Sequence, residues 1–327
     1  MQPARLLMTL AAGLLLTGCR GEVPTPTGNV PSEQAAELDN GLDATSQPVE
    51  SNDDDAQPVA DSPQLIVSVD ELQPRLEEDG LRIIDTRPSG EYSAGHIPGA
   101  VRVDLDDWKS LSLSDNGLAN AHAWSLRAGQ LGVTAETPVV VYGKSPTNAA
   151  RIWWLLRYVG VRDVRMLDGG WNLWQSAGAP VSTEAETPEP AEFIVDFQTD
   201  QLADQSQVAE LVSTPDAAHL LDTRSAGEFA GTSGPGERKG RIPEFQHLEW
   251  NEFLADDGRF KSPEEIEAIL EAREVSGDGT SIVHCQSGGR ASFAVLALEL
   301  AGRPVKNYYC GWSEWGADED AQVESDE

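Results

Sequence analysis

Cys285 is followed by Gln286-Ser287-Gly288-Gly289-Arg290, and that order of residues suits a nucleophilic thiolate. The stretch IVHCQSGGRASFAVLA, Ile282 to Ala297, reads as a buried strand over Ser281–His284, a tight loop, and an apolar helix opened by Arg290 that runs to about Ala301. Two adjacent glycines let the loop backbone fold inward, so that successive N–H groups converge on one point, and the helix adds its positive dipole end there. A thiolate rather than a thiol is the nucleophile, and a helix start beside a cation favours that form. Cys285 is therefore the expected nucleophile and Arg290 its charge partner. The amides of Gln286, Ser287, Gly288 and Gly289 are the expected anion cradle. A buried cysteine on a plain strand-to-helix turn is the simpler account, and the Cys-x-x-x-x-Arg spacing weighs against it.

The elements that must position this loop occur twice. From Gln64 the pattern predicts a strand over Ile66–Val69, a helix capped by Ser68 with Glu71 three residues later, strands at Leu81–Asp85 and Val139–Tyr142, a helix over Asn148–Val159 and a strand at Val164–Leu167. From Ala191 it predicts strands at Ile194–Phe197, Leu220–Asp222, Ile282–His284 and Val305–Tyr309. Helices fall between them, at Gln207–Ser213, after Ser262-Pro263-Glu264-Glu265, and from Arg290. Strands alternating with helices imply an α/β fold in which each half is a parallel sheet with helices on both faces. IIDTRPSGEY (Ile83–Tyr92) answers LLDTRSAGEF (Leu220–Phe229), VVYG answers IVHC, and GGWNLW (Gly169–Trp174) answers CGWSEW (Cys310–Trp315). The chain is thus a duplicated domain, at 64–185 and 193–320, joined by the Pro/Glu/Thr linker Ser182–Glu192. Gly143 stands where Cys285 stands, so only the second copy has a thiol at its loop.

At 327 residues the chain accommodates two such domains, and a formal net charge of −32 argues against nucleic acid as a partner. Three cysteines are too few for a disulfide scaffold, and no metal-ligand cluster is visible among them and the five histidines. Residues 1–19 have a basic start at Arg5, an apolar run Leu6–Leu16 too short to span a bilayer, then Leu16-Thr17-Gly18-Cys19. That ending resembles the lipobox of bacterial lipoproteins. The resemblance implies cleavage before Cys19, lipid on Cys19, and an exported protein held in the envelope, the outer membrane favoured by Arg20, with periplasmic domains. Residues 20–63 read as a disordered acidic tether, and the acidic end at 321–327 as a solvated tail.

As a set, DTRPSGEYSAGHIPGA (Asp85–Ala100), RIWWLLRYVGVRDVRMLDGGW (Arg151–Trp171), LLDTRSAGEF with GRIP (Gly240–Pro243), HCQSGGRAS and NYYCGWSEWG (Asn307–Gly316) resemble the rhodanese superfamily, specifically its tandem-domain thiosulfate and 3-mercaptopyruvate sulfurtransferases. The resemblance implies two tandem rhodanese-like domains, the first inactive, and an active-site loop from Cys285 to Arg290 that takes sulfur as a persulfide. It implies a small anionic donor, thiosulfate ahead of 3-mercaptopyruvate, a thiophilic acceptor (cyanide, thiol or dithiol), and no metal or organic cofactor. Two alternatives share the fold: a cysteine phosphatase or arsenate reductase, whose loop has one more residue before the arginine, and a non-catalytic binding or sulfur-sensing module. Glu228 and Gln286-Ser287 depart from both donor patterns of the family. Arg238 and Arg241, in a Gly-rich loop at Gly231–Gly240, are expected to focus the donor onto Cys285. Asp222 and Arg224, repeated as Asp85 and Arg87, are expected to brace the loop floor.

Overall fold

The computed structural model describes residues 64–214, 217–275, 277 and 279–326. The export segment 1–19, Cys19 and the 20–63 tether lie outside the described residues. In the first half, strands β1 (Ile66–Val67), β2 (Arg82–Asp85), β3 (Ala100–Arg102), β4 (Val139–Tyr142) and β5 (Val164–Leu167) pair in the order β1-β5-β4-β2-β3, all parallel. In the second half, β6 (His219–Asp222), β7 (Gln246–His247), β8 (Ser281–His284) and β9 (Val305–Tyr308) pair in the order β7-β6-β8-β9, again all parallel. The order β3-β2-β4-β5 is thereby reproduced. The register repeats too, with Asp85 opposite Tyr142 in one sheet and Asp222 opposite His284 in the other.

Helices α1 (Val69–Leu72), α2 (Ser89–Ala94), α3 (Leu105–Ser112), α4 (Ala121–Gln130), α5 (Pro146–Tyr158) and α6 (Gly170–Ser176) belong to the first half. Helices α7 (Gln205–Val212), α8 (Ala226–Ala230), α9 (Pro263–Glu271), α10 (Gly289–Leu300) and α11 (Trp312–Trp315) belong to the second. Capping boxes start α1, between Ser68 and Glu71, and α9, between Ser262 and Glu265, as their spacing predicts. Helices α5 and α10 are buried along nearly their whole length, because each packs on its own sheet and on the other helix. A helix that is apolar all round needs cover on every side. Here the two domains provide it, and one continuous core runs from Ile84 and Val141 through Trp153, Trp154 and Phe293 to Val283. Separate clusters line the outer faces: Val67, Tyr142 and Trp174 in the first domain, Leu220, Tyr308 and Trp315 in the second.

Two sequence expectations are corrected. Ile194–Phe197 is not a strand: Ile194 is 77% exposed, and the backbone N–H groups of Asp196 and Gln198 bond to the carbonyls of Val159 and Tyr158, at 3.0 and 2.8 Å, at the end of α5. The first domain's helix captures this segment before it can join the second sheet, whose matching edge is only a bridge between Leu202 and Asn307. The residues of the carboxy-terminal tail up to Asp326 are not loose either. Arg241 and Glu324 exchange backbone hydrogen bonds at 2.8 and 3.0 Å, and the Arg241 guanidinium donates to Asp326 at 2.6 Å. An acidic tail has found the basic loop of an otherwise acidic chain.

Candidate active site

The loop rests on a floor built twice. At the end of β6, Arg224 donates to both oxygens of Asp222, with its shortest contact at 2.5 Å, and to the Gly240 carbonyl at 2.8 Å. Its guanidinium also lies over the Trp312 ring at 4.5 Å. Arg87 repeats this with Asp85, Gly95 and Trp171. Both pairs are fully buried, so removing one partner would strand a charge at a cost of about 3–5 kcal/mol. Burial alone would raise the Asp222 carboxyl, but His284 and Arg224 outweigh it and hold the group well below the usual carboxylate range. His284 is wholly buried beneath the loop, with Nε2 3.4 Å from Asp222, Nδ1 3.1 Å from the Cys285 carbonyl oxygen, and its ring edge-on to Phe245. It is a floor residue, as strand alternation predicts.

On that floor, Cys285 directly follows β8 as a free thiol, so it forms no disulfide with Cys310. It is only 2% exposed, whereas its neighbours Gln286, Ser287 and Arg290 are partly exposed. Its carbonyl accepts from Trp312 N–H at 2.8 Å, and the Gln286 carbonyl accepts from Ser313 N–H at 2.9 Å. These bonds pin the loop's entry to α11 through its carbonyls, while the amides of Gln286 through Arg290 donate to no acceptor among the described residues. Gly288, at φ +91°, takes the left-handed turn this demands, and a Cβ there would come within 2.5 Å of the Tyr309 ring. A Cβ on Gly311, also left-handed at φ +52°, would collide with the Cys285 carbonyl. Glycine is required at both places.

Arg290 is where the sequence puts it, at the first turn of α10, but its partner was not legible. Its two terminal nitrogens donate to the two oxygens of Glu228 at 2.6 and 2.9 Å. Burial pulls the guanidinium down, but Glu228, Cys285 and Asp222 outweigh it and raise it above its ordinary value. Burial likewise pushes Glu228 up, while Arg290 and then Ser225 draw it down to about 2. Glu228 also completes a capping box with Ser225 at the start of α8, and that S-x-x-E signal is the one that could have located it. Arg238 and Arg241 are placed elsewhere than expected. Arg238 donates to the carbonyls of Asp318 and Ala321, and Arg241 pairs with Glu324 and Asp326, so the carboxy-terminal segment takes both charges.

The first domain closes over the loop. Trp154 of α5 stacks on Tyr309 at 4.9 Å, and Arg151 of α5 donates to the Tyr309 hydroxyl at 2.7 Å. Its own loop, Gly143-Lys144-Ser145-Pro146-Thr147-Asn148, lacks the thiol, the paired glycines and the arginine, and Pro146 has no N–H to offer. A Cβ at Gly143 would strike the Thr86 hydroxyl. The rhodanese-like domain profile matches residues 68–177 and 204–318.

The chain belongs to the rhodanese family.

It is a sulfurtransferase of that family, with a sulfur donor and a sulfur acceptor as substrates. The 3-mercaptopyruvate sulfurtransferase of Rattus norvegicus is 33% identical over 266 residues, covering 79% of this chain and 86% of that one. The thiosulfate sulfurtransferase of Bos taurus is 33% identical over 253 residues, covering 72% and 85%. The crystal structure of SseA from Escherichia coli, a 3-mercaptopyruvate sulfotransferase, superposes with a TM-score of 0.66 at 30% identity, covering 77% of this rhodanese and 100% of SseA.

The Glu228–Arg290 pair makes a pH prediction. A carboxyl held in the fold below its ordinary 4.5 stabilises the fold above that pH and loses its contribution as pH falls through the folded value, here about 2. Urea unfolding of the wild type and Glu228→Gln should therefore show a stability gap that is full above about pH 4.5 and closes toward pH 2. A gap that stays constant across that window would contradict the assignment.

Proposed function

We propose that this sulfurtransferase carries sulfane sulfur on Cys285 as a persulfide. The observation that supports this reading most is the free Cys285 thiol at a loop whose following amides, Gln286 to Arg290, have no acceptor among the described residues. The Cys285 thiolate attacks the outer sulfur of the donor. The donor's bond to that sulfur breaks, and the remainder leaves with the electron pair, as sulfite from thiosulfate or the pyruvate enolate from 3-mercaptopyruvate. The new terminal sulfur is anionic, and the loop amides with Arg290 hold both it and the charge that develops on the way. A cyanide, thiol or dithiol then attacks the terminal sulfur and returns Cys285 to thiolate. We place thiosulfate ahead of 3-mercaptopyruvate as donor. Gln286, Ser287, Gly288 and Gly289 bind through backbone, and the first domain does no chemistry of its own.

Intact-protein mass spectrometry after exposure to either donor is expected to show one added sulfur, discharged by cyanide. Cys285→Ala should gain none. A wild-type protein that stays at its starting mass with both donors, or a Cys285→Ala protein that still loads, would overturn the reading. The relative loading rates order the two donors.

We also propose that the chain is exported and tethered through a lipid on Cys19, the reading its amino-terminal motif supports. Fractionation of expressing bacteria should find the protein with membranes and Cys19→Ala in the soluble fraction. Equal partition of the two would remove the anchor.

A further inference from the structure

Duplication lets the two loops be compared atom for atom. Gly143 matches Cys285, so Arg151 on α5 holds the place that Phe293 holds on α10. Each helix lends that residue to the other domain's loop. Phe293, with Trp250 and Phe260, lines a cavity of about 160 Å³ against Gly143 and Lys144 of the first domain. Arg151 reaches the corresponding place in the second domain, where its guanidinium Nη2 lies 3.1 Å from where a Cβ on Gly289 would stand. The unreactive loop is thus faced by a phenyl ring, and the reactive loop by a cation.

That cation is unusually placed. Arg151 is 6% exposed between the buried apolar residues Ala150 and Ile152 of α5, and its hydrogen bond goes to the Tyr309 hydroxyl at 2.7 Å, itself 2.9 Å from the Ser112 hydroxyl of α3. No carboxylate among the described residues lies within ion-pair distance of it. Every other arginine around the site is neutralised or tied: Arg224 by Asp222, Arg290 by Glu228, Arg241 by Asp326, Arg238 by two carbonyls. A buried charge with no counterion is costly, and it persists where an anion completes it.

We infer that Arg151, contributed by the first domain, binds the oxyanion end of the sulfur donor while the Cys285 loop receives the sulfur. The inference rests on the sulfur-transfer reading above and adds to it a residue from the domain that has no thiol. The shared chemistry is an anionic oxygen, the sulfonate of thiosulfate or the carboxylate of 3-mercaptopyruvate. Tyr309 and Ser112 act as positioning residues, holding the guanidinium against the loop.

Cys285→Ala cannot accept sulfur, so each donor can be titrated into it calorimetrically without turnover. Adding Arg151→Gln should weaken binding by about ten- to a hundredfold, the usual value of a charged hydrogen bond, and Arg151→Lys should recover part of it. Loss for one donor alone names which oxyanion the site takes. In the protein with Cys285 intact, Arg151→Gln should raise KM for that donor by about the same factor and leave kcat within about threefold. Unchanged affinity for both donors would overturn the inference. If Arg151→Gln does not fold, a crystal structure of Cys285→Ala with thiosulfate decides. An oxygen of the anion within hydrogen-bond distance of Arg151 supports the inference, and an anion bound elsewhere, or none, refutes it. A wild-type protein that loads sulfur while Arg151→Gln binds normally refutes only this inference. A wild-type protein that never loads refutes the reading beneath it.

Discussion

Backbone amides left without acceptors are costly where they are buried, and the partly buried run from Gln286 to Arg290 is the constraint around which this molecule is arranged. A chain segment keeps such a run only where its other bonds fix it. Here the carbonyls of Cys285 and Gln286 are fixed by Trp312 and Ser313, the left-handed turn at Gly288 is set against Tyr309, and the floor is held by Asp222 and Arg224. The amides of Gln286 to Arg290, which follow the thiol in the chain, are left without acceptors among the described residues.

The second copy alone does not build this site. Tyr309 takes its stacking partner Trp154 and its hydrogen-bond donor Arg151 from α5, and aromatic pairs of this kind are worth about 0.5–1.5 kcal/mol beyond their burial. The salt bridge from Arg157 to Glu299, at 2.6 Å, ties α5 to α10 further along. The first domain lacks the cysteine yet has the Asp85–Arg87 floor and its half of the shared core. The first domain serves as the wall of the other copy's site.

Much of this was legible because it is local. Strand β8, the loop and α10 follow from an apolar run, two glycines and a second apolar run. The repeat follows from landmarks that stay in order, and the caps of α1 and α9 from residues three apart. Most of the misses are matters of partner. Ile194–Phe197 has the pattern of a strand, but its hydrogen bonds go to the end of α5. Arg238 and Arg241 have the charge to steer a donor, but a tail more than seventy residues away in the chain engages both. Strands β3 and β7 are too short to show a period of two. Glu228 was read only as a departure from the family's donor patterns and not as the partner of Arg290, and Arg151 was missed as a site residue. Arg151 had a signal all the same, as the one polar residue in the run Ala149–Leu156.

The amides themselves supply the most direct test. Hydrogen exchange of the peptide spanning Gln286–Arg290, followed by mass spectrometry, compares the resting protein with one loaded by a sulfur donor. If the loop amides hold a terminal sulfur anion, their exchange should slow by about tenfold or more on loading, the effect of gaining an acceptor, while the matching peptide around Gly143 should not change. Equal exchange before and after loading would mean that the amides do not hold the sulfur, and would contradict the account at its centre.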